Sequence, residues 1–165
     1  MAPLGPFGNA ASADGHFDPE DTFVPEHLPS PGPFLDEGKV LEGDRHVKVH
    51  RTARELFEER GVYDMTFGYN LAKLNRDQRH PDAGLRYATD GAILLTEFTP
   101  TTPFCPQSEV LSKAVFRAWN GLSERHEFDR VRVRLAPMHH SADAINQELE
   151  SWDRHLVETG ELPDG

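Results

Sequence analysis

The chain has 165 residues, of which 37% are hydrophobic, and its formal net charge is −11. This length suits one domain with a single core, and the acidic balance disfavours general nucleic-acid binding and attachment to anionic membranes, which require clustered basic residues. The single cysteine excludes an internal disulfide and a four-cysteine metal site within one subunit, and it is consistent with a reducing compartment.

Residues 1–45 are rich in the two residues that interrupt regular structure, with seven of the 13 prolines and six of the 13 glycines. No helical or strand period runs through them, and no positive region precedes an apolar run, so no secretory signal is expected. No segment reaches the roughly 18–20 apolar residues of a membrane span. We therefore predict a cytoplasmic protein with a mostly disordered or loosely draped tail without regular structure over residues 1–45 and a domain over residues 46–160.

A helix and two strands are predicted at the start of this domain. Apolar residues recur with helical spacing over residues 46–60. Over residues 63–71 apolar and polar residues alternate, which predicts a strand with one buried face, and Asp64 falls on its other face. Residues 73–90 are polar and predict a long connection. Residues 92–101 predict a second strand, which we expect to pair antiparallel with the first because sequence neighbours most often pair.

The only cysteine lies where this second strand ends and a strong helical pattern begins. Pro103 and Pro106 bracket Phe104-Cys105, so the backbone there has few conformations available. Pro106 suits the first position of a helix, which places Cys105 at the N-cap, where free backbone N–H groups and the helix dipole favour a thiolate. The same local sequence is compatible with a buried, inert cysteine that packs as a small hydrophobe.

Three further elements complete the predicted domain. Residues 110–122 carry a broad apolar helical face that includes Trp119. Residues 130–135 alternate arginine with Val or Leu, which predicts a third strand whose arginines face solvent or an acidic partner. A last helix follows Ser141, with an apolar stripe over residues 145–156. Because strand–helix–strand crossovers are right-handed, the second and third strands should be parallel. The predicted fold class is α+β, a small mixed three-stranded sheet with packed helices in the order α-β-β-α-β-α.

A thiolate, an imidazole and a carboxylate can converge at one edge of this sheet. Cys105 follows the second strand and His139 follows the third, and the C-terminal ends of parallel strands lie on the same edge. Thiolate and imidazole are suitable ligands for iron or zinc, so Cys105 and His139 are candidate metal ligands. Thr101 and Thr102 are candidate supporting residues, because their hydroxyl groups can donate hydrogen bonds to the sulfur or to a bound ligand. Asp64 is a further candidate supporting residue, which supplies the carboxylate at the same edge.

Four features of the sequence are informative together. They are Phe98-Thr99-Pro100-Thr101-Thr102-Pro103-Phe104-Cys105-Pro106, the helix and Val-x-Val-x-Leu strand after it, His139 before Ala144-Ile145-Asn146-Gln147-Glu148-Leu149, and Val62-Tyr63-Asp64-Met65. Together they resemble one known family, the iron–sulfur cluster assembly (FSCA) domain family, which includes SufT-like and PaaD-like proteins and the cytosolic iron–sulfur targeting component. The resemblance covers about residues 46–157, with two departures: the family's Asp-Pro-Glu tripeptide occurs only at 18–20, and the connection 73–90 is longer than usual.

The resemblance implies a functional cysteine at Cys105 and a role in maturing or targeting iron–sulfur proteins. The partners would then be iron–sulfur client proteins and other cluster assembly factors, with a transient iron–sulfur cluster or iron as the cargo. Because one subunit has few soft ligands, transient binding, a cluster shared across a homodimer and targeting without a cluster all stay open. Two other classes also stay open: a thiol enzyme that uses a Cys–His pair, and a protein-interaction adaptor with a structural cysteine.

Overall fold

The central sheet has four strands in the spatial order β1 (Lys39–Val40), β4 (Gly84–Asp90), β5 (Ile93–Thr99) and β6 (Arg130–Leu135), and a separate hairpin pairs β2 (Tyr63–Asp64) with β3 (Tyr69–Asn70). The structure is a computed structural model that describes residues 16–163. No helix within that part of the chain has both the length and the apolar character needed to cross a membrane. The α-helices and strands described there are β1 (Lys39–Val40), α1 (Asp44–Arg60), β2 (Tyr63–Asp64), β3 (Tyr69–Asn70), β4 (Gly84–Asp90), β5 (Ile93–Thr99), α2 (Ser108–Gly121), β6 (Arg130–Leu135) and α3 (Ala142–Thr159).

The fold is α+β with a mixed sheet, as the sequence predicts, but the sheet has one more strand than predicted. Only Gly91 and Ala92 separate the antiparallel strands β4 and β5, so Asp90 pairs with Ile93. Gly91 has φ +62, a backbone conformation that a tight hairpin turn requires and glycine adopts at little cost. As expected, β6 follows the crossover helix α2 and lies parallel to β5. The prediction of a three-stranded sheet is wrong, because β1 adds a fourth strand beside β4.

The region predicted as the first strand, residues 63–71, folds back on itself instead. The Asp64 carboxylate accepts hydrogen bonds from the backbone N–H groups of Thr66 and Phe67, and Gly68 has φ +72, so the chain turns between β2 and β3. Such side chain–backbone bonds compete with strand pairing. The partner of β5 is β4, which lies inside the predicted connection 73–90. Its first five residues are all buried, so it lacks the alternation of a strand with one solvated face.

The three helices of the described chain share one hydrophobic core with one face of the sheet. The predicted helix 46–60 begins two residues earlier, at Asp44. Trp119 is completely buried, as its place on the apolar face of α2 predicts. Each helix contributes a run of buried residues at helical spacing: Val49, Ala53, Leu56 and Phe57 from α1, Leu111, Val115, Phe116 and Ala118 from α2, and Ile145, Leu149 and Trp152 from α3.

Residues 16–41, which we call the N-terminal strap, run past α1 and then cover the opposite face of the sheet. Leu35 is completely buried in a second cluster with Ala88 and Leu95. From residue 16 onward this corresponds to the draped form of the predicted tail rather than to the disordered form, and residues 1–15 lie outside the described residues. The strap is largely irregular, as its proline and glycine content requires, but its apolar side chains gain order by burial against the sheet.

The arginines of β6 do not face solvent. Arg134 is 6% exposed, and its guanidinium lies 2.8 Å from a carboxylate oxygen of Asp153 in α3. Arg132 also pairs with Asp153, and with Glu37 of the strap, at 3.2 Å each. The acidic partner of this strand is therefore supplied by the same chain, from one helix and from the strap.

Three asparagine side chains form hydrogen bonds with backbone groups at the edges of the sheet. Each amide accepts a hydrogen bond from one strand residue's N–H and donates one to the same residue's carbonyl oxygen, at 2.7–2.9 Å. These bonds occupy groups that an added strand would otherwise pair with. A partner is therefore expected to dock on loops rather than by extending the sheet. The pairs are Asn75 with Leu85, Asn120 with Val131, and Asn146 with Leu135.

Candidate functional site at the cysteine edge

Three loops meet where the parallel strands β5 and β6 end. They are the turn 64–68, the segment 100–107 that contains Cys105, and the loop 136–141; together we call them the cysteine edge. Two backbone hydrogen bonds join the loop 136–141 to the end of β5 and to the cysteine segment. The N–H of Ala136 donates to the carbonyl oxygen of Phe98 at 2.8 Å, and the N–H of His140 donates to the carbonyl oxygen of Pro103 at 2.9 Å. The convergence predicted for the two strand ends is therefore present in the structure.

Cys105 is not the N-cap of α2, which corrects the sequence prediction. The N-cap is Gln107, and the first helical residue is Ser108. Cys105 lies two residues before the cap in a chain of turns, in which its own N–H points to the carbonyl of Thr102 and its carbonyl accepts from Ser108. The prolines restrict this segment without starting the helix at Pro106. Cys105 is a free, partly exposed cysteine.

His139 connects the two strand-end loops through its ring. It is 5% exposed, its Nε2 lies 3.0 Å from the carbonyl oxygen of Cys105, and its Nδ1 lies 3.1 Å from the backbone N of Ser141. Since the Ser141 N–H must donate, Nδ1 accepts and Nε2–H donates to Cys105. Both ring nitrogens are thus engaged, so His139 would have to break one of these bonds to act as a metal ligand or as a base.

Gln107 links the cysteine segment to the third loop. Its side-chain oxygen accepts a hydrogen bond from the N–H of Met65 at 2.8 Å, and its amide donates to the hydroxyl of Thr66 at 2.6 Å. Asp64 is 5% exposed, and one of its carboxylate oxygens shapes the turn through the N–H groups of residues 66 and 67. The predicted supporting residue Asp64 is therefore near the site, where it builds the turn that Gln107 holds.

The two predicted threonines differ in position. Thr102 is exposed, and its hydroxyl accepts a bond from the N–H of Phe104 at 3.3 Å, which stabilises the turn before the cysteine. Thr101 is partly exposed at the end of β5. Within residues 16–163 no hydrogen bond joins either hydroxyl to the sulfur of Cys105.

Large apolar side chains are exposed on the three loops and on the first turn of α2, and we call them the apolar rim. Met65 is 82% exposed, Phe104 71%, Val110 69% and Met138 42%. Sequence neighbours and the bonds above place them together: Phe104 precedes Cys105, Met65 is bound by Gln107, and Met138 precedes His139. Exposed apolar groups clustered at one place are typical of a protein-binding surface.

The chain itself offers few ligands for the metal site predicted at this edge. Within residues 16–163 no group of three or more His, Cys, Asp and Glu side chains is arranged to hold a metal ion. Cys105 is the one thiolate donor that the sequence offers. Iron or a cluster at this edge would need further ligands from a second molecule.

Sequence reasoning missed two kinds of residue at this edge. Gln107 acts through remote bonds that no local pattern reveals. The four rim residues are scattered over residues 65–138, and their shared exposure depends on how the loops fold. A third residue, Glu97, could have been identified from the sequence, because it is a charged residue within the apolar pattern of β5. In the structure it is only 2% exposed. Acidic residues are rarely buried without a partner, so that interruption could have marked a special position.

Comparison with known proteins places the chain in a family without assigning it an activity. The family model described as a domain of unknown function, DUF7998, matches residues 15–163. The match begins with the strap and runs to the last residue that the structure describes. No curated protein and no solved structure matches the chain.

Proposed function

Since this chain belongs to the DUF7998 family, whose function is unknown, its role has to be inferred from its own residues, and we propose that it is an iron–sulfur cluster assembly or targeting factor. In this proposal client proteins dock on the apolar rim, and the sulfur of Cys105 is the point of contact. The cluster or iron is cargo that passes between proteins. The chain acts in a reducing cytoplasm, with other assembly factors as further partners.

One observation carries the proposal: the only cysteine is partly exposed on cross-linked loops that also carry most of the apolar rim. Within the described residues, four of the five large hydrophobic side chains that are exposed belong to the apolar rim. The loops beneath them are bound to one another by His139, His140 and Gln107. A partner that covers this surface would bury apolar area and enclose the thiol at the same time.

The order of the main elements also supports the proposal. When β1 and the β2–β3 hairpin are left aside, the remaining order is α1-β4-β5-α2-β6-α3, with β5 and β6 parallel. This agrees with the α-β-β-α-β-α order predicted from the sequence pattern only if β4 takes the place of the predicted first strand 63–71, whereas the resemblance implies an α+β domain. The long connection 73–90, which departs from the usual family pattern, contains the end of the 3-10 helix Leu71–Arg76 and the whole of β4.

The rim by itself favours a second candidate, a protein-interaction adaptor in which the thiol has no chemical role. An adaptor needs the exposed apolar side chains and the cross-linked loops but not the sulfur. The third class, a thiol enzyme, is less well supported, because both nitrogens of His139 are held by backbone groups. His140 is exposed, and its ring lies 5.3 Å from that of Phe104.

Substitutions at the thiol and at the rim separate these candidates. In cells that depend on this chain, Cys105→Ser should lower the activity of iron–sulfur enzymes such as aconitase without lowering the abundance of the chain. Phe104→Ser should also lower it, because docking is lost. Val157→Ser is the matched control, since Val157 is 59% exposed on α3 away from the rim, and it should have no effect.

The combination of these results decides between the assembly factor and the adaptor. If Phe104→Ser lowers client activity and Cys105→Ser does not, the adaptor replaces the assembly factor. If neither variant has an effect, the surface is not a docking site and the proposal fails. Iron and acid-labile sulfide measured in protein purified without oxygen would show whether the cargo is carried in transit.

A further inference from the structure

A buried carboxylate lies just below the cysteine edge, and within the described residues it forms no salt bridge. Glu97 is 2% exposed in β5, and the strand register places Arg86 of β4 and Arg134 of β6 directly beside it. Neither arginine pairs with it. Arg86 donates to the carbonyl oxygen of Pro29 at 3.0 Å, and Arg134 is directed to Asp153.

The one bond that Glu97 makes comes from the strap. Its Oε1 accepts the N–H of Gly32 at 2.8 Å, and within residues 16–163 its Oε2 has no hydrogen-bond partner. Burial, the largest cause, raises the pKa of Glu97, and the charge of Asp36 adds to the effect, whereas the Gly32 bond lowers it. A side chain on Gly32 would collide with these carboxylate oxygens, so glycine is required for the close approach.

Glu97 lines an open cleft of about 330 Å³ between the strap and the cysteine edge. Asp82 lies at the same cleft, and its lining includes no arginine, lysine or histidine. Met138 contributes to the wall and is also a member of the apolar rim. The cleft is therefore continuous with the proposed docking surface, and its ionisable side chains are all acidic.

We propose that this cleft receives a lysine or arginine side chain of the client protein that docks on the apolar rim. The inference rests on the proposed function and adds the chemistry of the partner: an apolar contact next to a basic residue. A cationic side chain would supply the donor that the Oε2 of Glu97 lacks and would neutralise two carboxylates at once. A metal ion fits less well, because Asp82 and Glu97 are the only two residues of metal-binding type in the lining.

The Gly32 amide is a direct reporter for this site, because its N–H is bound to Glu97. The full chain, labelled with ¹⁵N, is titrated with n-butylammonium and ethylguanidinium chloride at constant ionic strength. Either cation should shift the Gly32 resonance saturably, and n-butanol, the matched neutral probe, should not. Glu97→Gln retains an acceptor for Gly32 and should weaken binding at least fivefold. Glu124→Gln is the control, since Glu124 is exposed, does not line the cleft and does not contribute to the pKa shift of Glu97.

Several results would overturn the assignment. They are the absence of saturation, an equal response to n-butanol, an unchanged affinity in Glu97→Gln, and a response to magnesium chloride alone. In cells, Glu97→Gln should lower client activity and Glu124→Gln should not. If Cys105→Ser lowers client activity and Glu97→Gln does not, this inference fails and the proposed function stands. If the cation titration succeeds and Cys105→Ser is without effect, the cleft binds basic groups but the iron–sulfur role fails.

Discussion

The two faces of the central sheet are covered in opposite ways. One face packs against three helices through a continuous apolar core that contains Trp119. The other is covered by the N-terminal strap, where a small apolar cluster around Leu35 lies beside the charged row Arg86, Glu97 and Arg134. The first face gains stability from apolar area, and the second relies on a few apolar contacts together with polar bonds to a chain that is largely irregular.

This difference has a functional consequence. The helix-covered face is filled and leaves little for a partner to contact. The strap-covered face retains a carboxylate with a free oxygen and an open cleft that reaches the cysteine edge. A polar, loosely covered face beside an apolar rim provides two kinds of contact for a partner, and the following tests measure how different the two faces are.

The largest effect is expected from the helix-covered face. Trp119→Ala should lower the free energy of unfolding by about 3–5 kcal/mol, because a large aromatic side chain is removed from a filled core. Urea denaturation measures this directly. Val157→Ala on the exposed side of α3 should change the value by less than about 0.5 kcal/mol. A near-neutral Trp119→Ala would contradict the packed core described for this face.

A smaller effect is expected from the strap-covered face. Leu35→Ala should cost roughly 2–3 kcal/mol, at the low end for a buried leucine, since an irregular strap can collapse into the space. Deleting residues 1–38 should cost more, because it also exposes Ala88 and Leu95. If both changes leave the urea midpoint unaltered, the strap is not held against the sheet, and the disordered form of the predicted tail is correct.

The edge between the two faces should respond more weakly. Asn146→Leu removes both hydrogen bonds to Leu135 and should cost roughly 1–2 kcal/mol. Hydrogen exchange should show faster opening at the Leu135 amide than elsewhere in β6. Gln147→Leu is the adjacent control, since Gln147 is exposed. If Asn146→Leu leaves the exchange rate of the Leu135 amide unchanged, the side chain of Asn146 does not protect this edge of the sheet.

Acid should act on the two faces in opposite directions. Burial lowers the pKa of His46 to about 3 and that of His50 to about 4, from 6.5, so stability should fall as pH drops from about 6.5 toward these values. Each histidine contributes at most about 1.4 kcal/mol per pH unit within its window. Glu97 has a raised pKa, so the stability it contributes is complete below 4.5 and is lost as pH rises through the raised value.

Two variants separate the pH dependence of stability that His46 causes from that which Glu97 causes. The free energy of unfolding of each variant is measured by urea titration between pH 4 and pH 7. Relative to the wild type, His46→Phe should gain stability as pH falls, because an imidazole that resists protonation has been removed. Glu97→Gln should gain relative stability as pH rises, because a carboxyl group that resists ionisation has been removed. Parallel pH profiles for the wild type and both variants would show that neither group is held as the structure describes.

The sequence alone was enough to place the three helices, the parallel crossover and the proline-bounded cysteine segment at a strand end. These features follow from local rules: helical spacing is repeated within one element, and a proline restricts its own neighbours. Trp119 could be assigned to the core on that basis, and Cys105 to the end of β5. The site was thus located along the chain, although the N-cap is Gln107 rather than Cys105.

Only the tertiary structure decided which remote groups meet. β4 was hidden because it is buried on both faces and lacks a two-residue period. The strap was predicted as mostly disordered or loosely draped because its composition does not reveal that the sheet provides a surface for Leu35. The bonds of His139 and Gln107, and the missing partner of Glu97, depend on residues far away in sequence. Local propensity cannot specify such contacts, since their energies arise only when separate segments pack together.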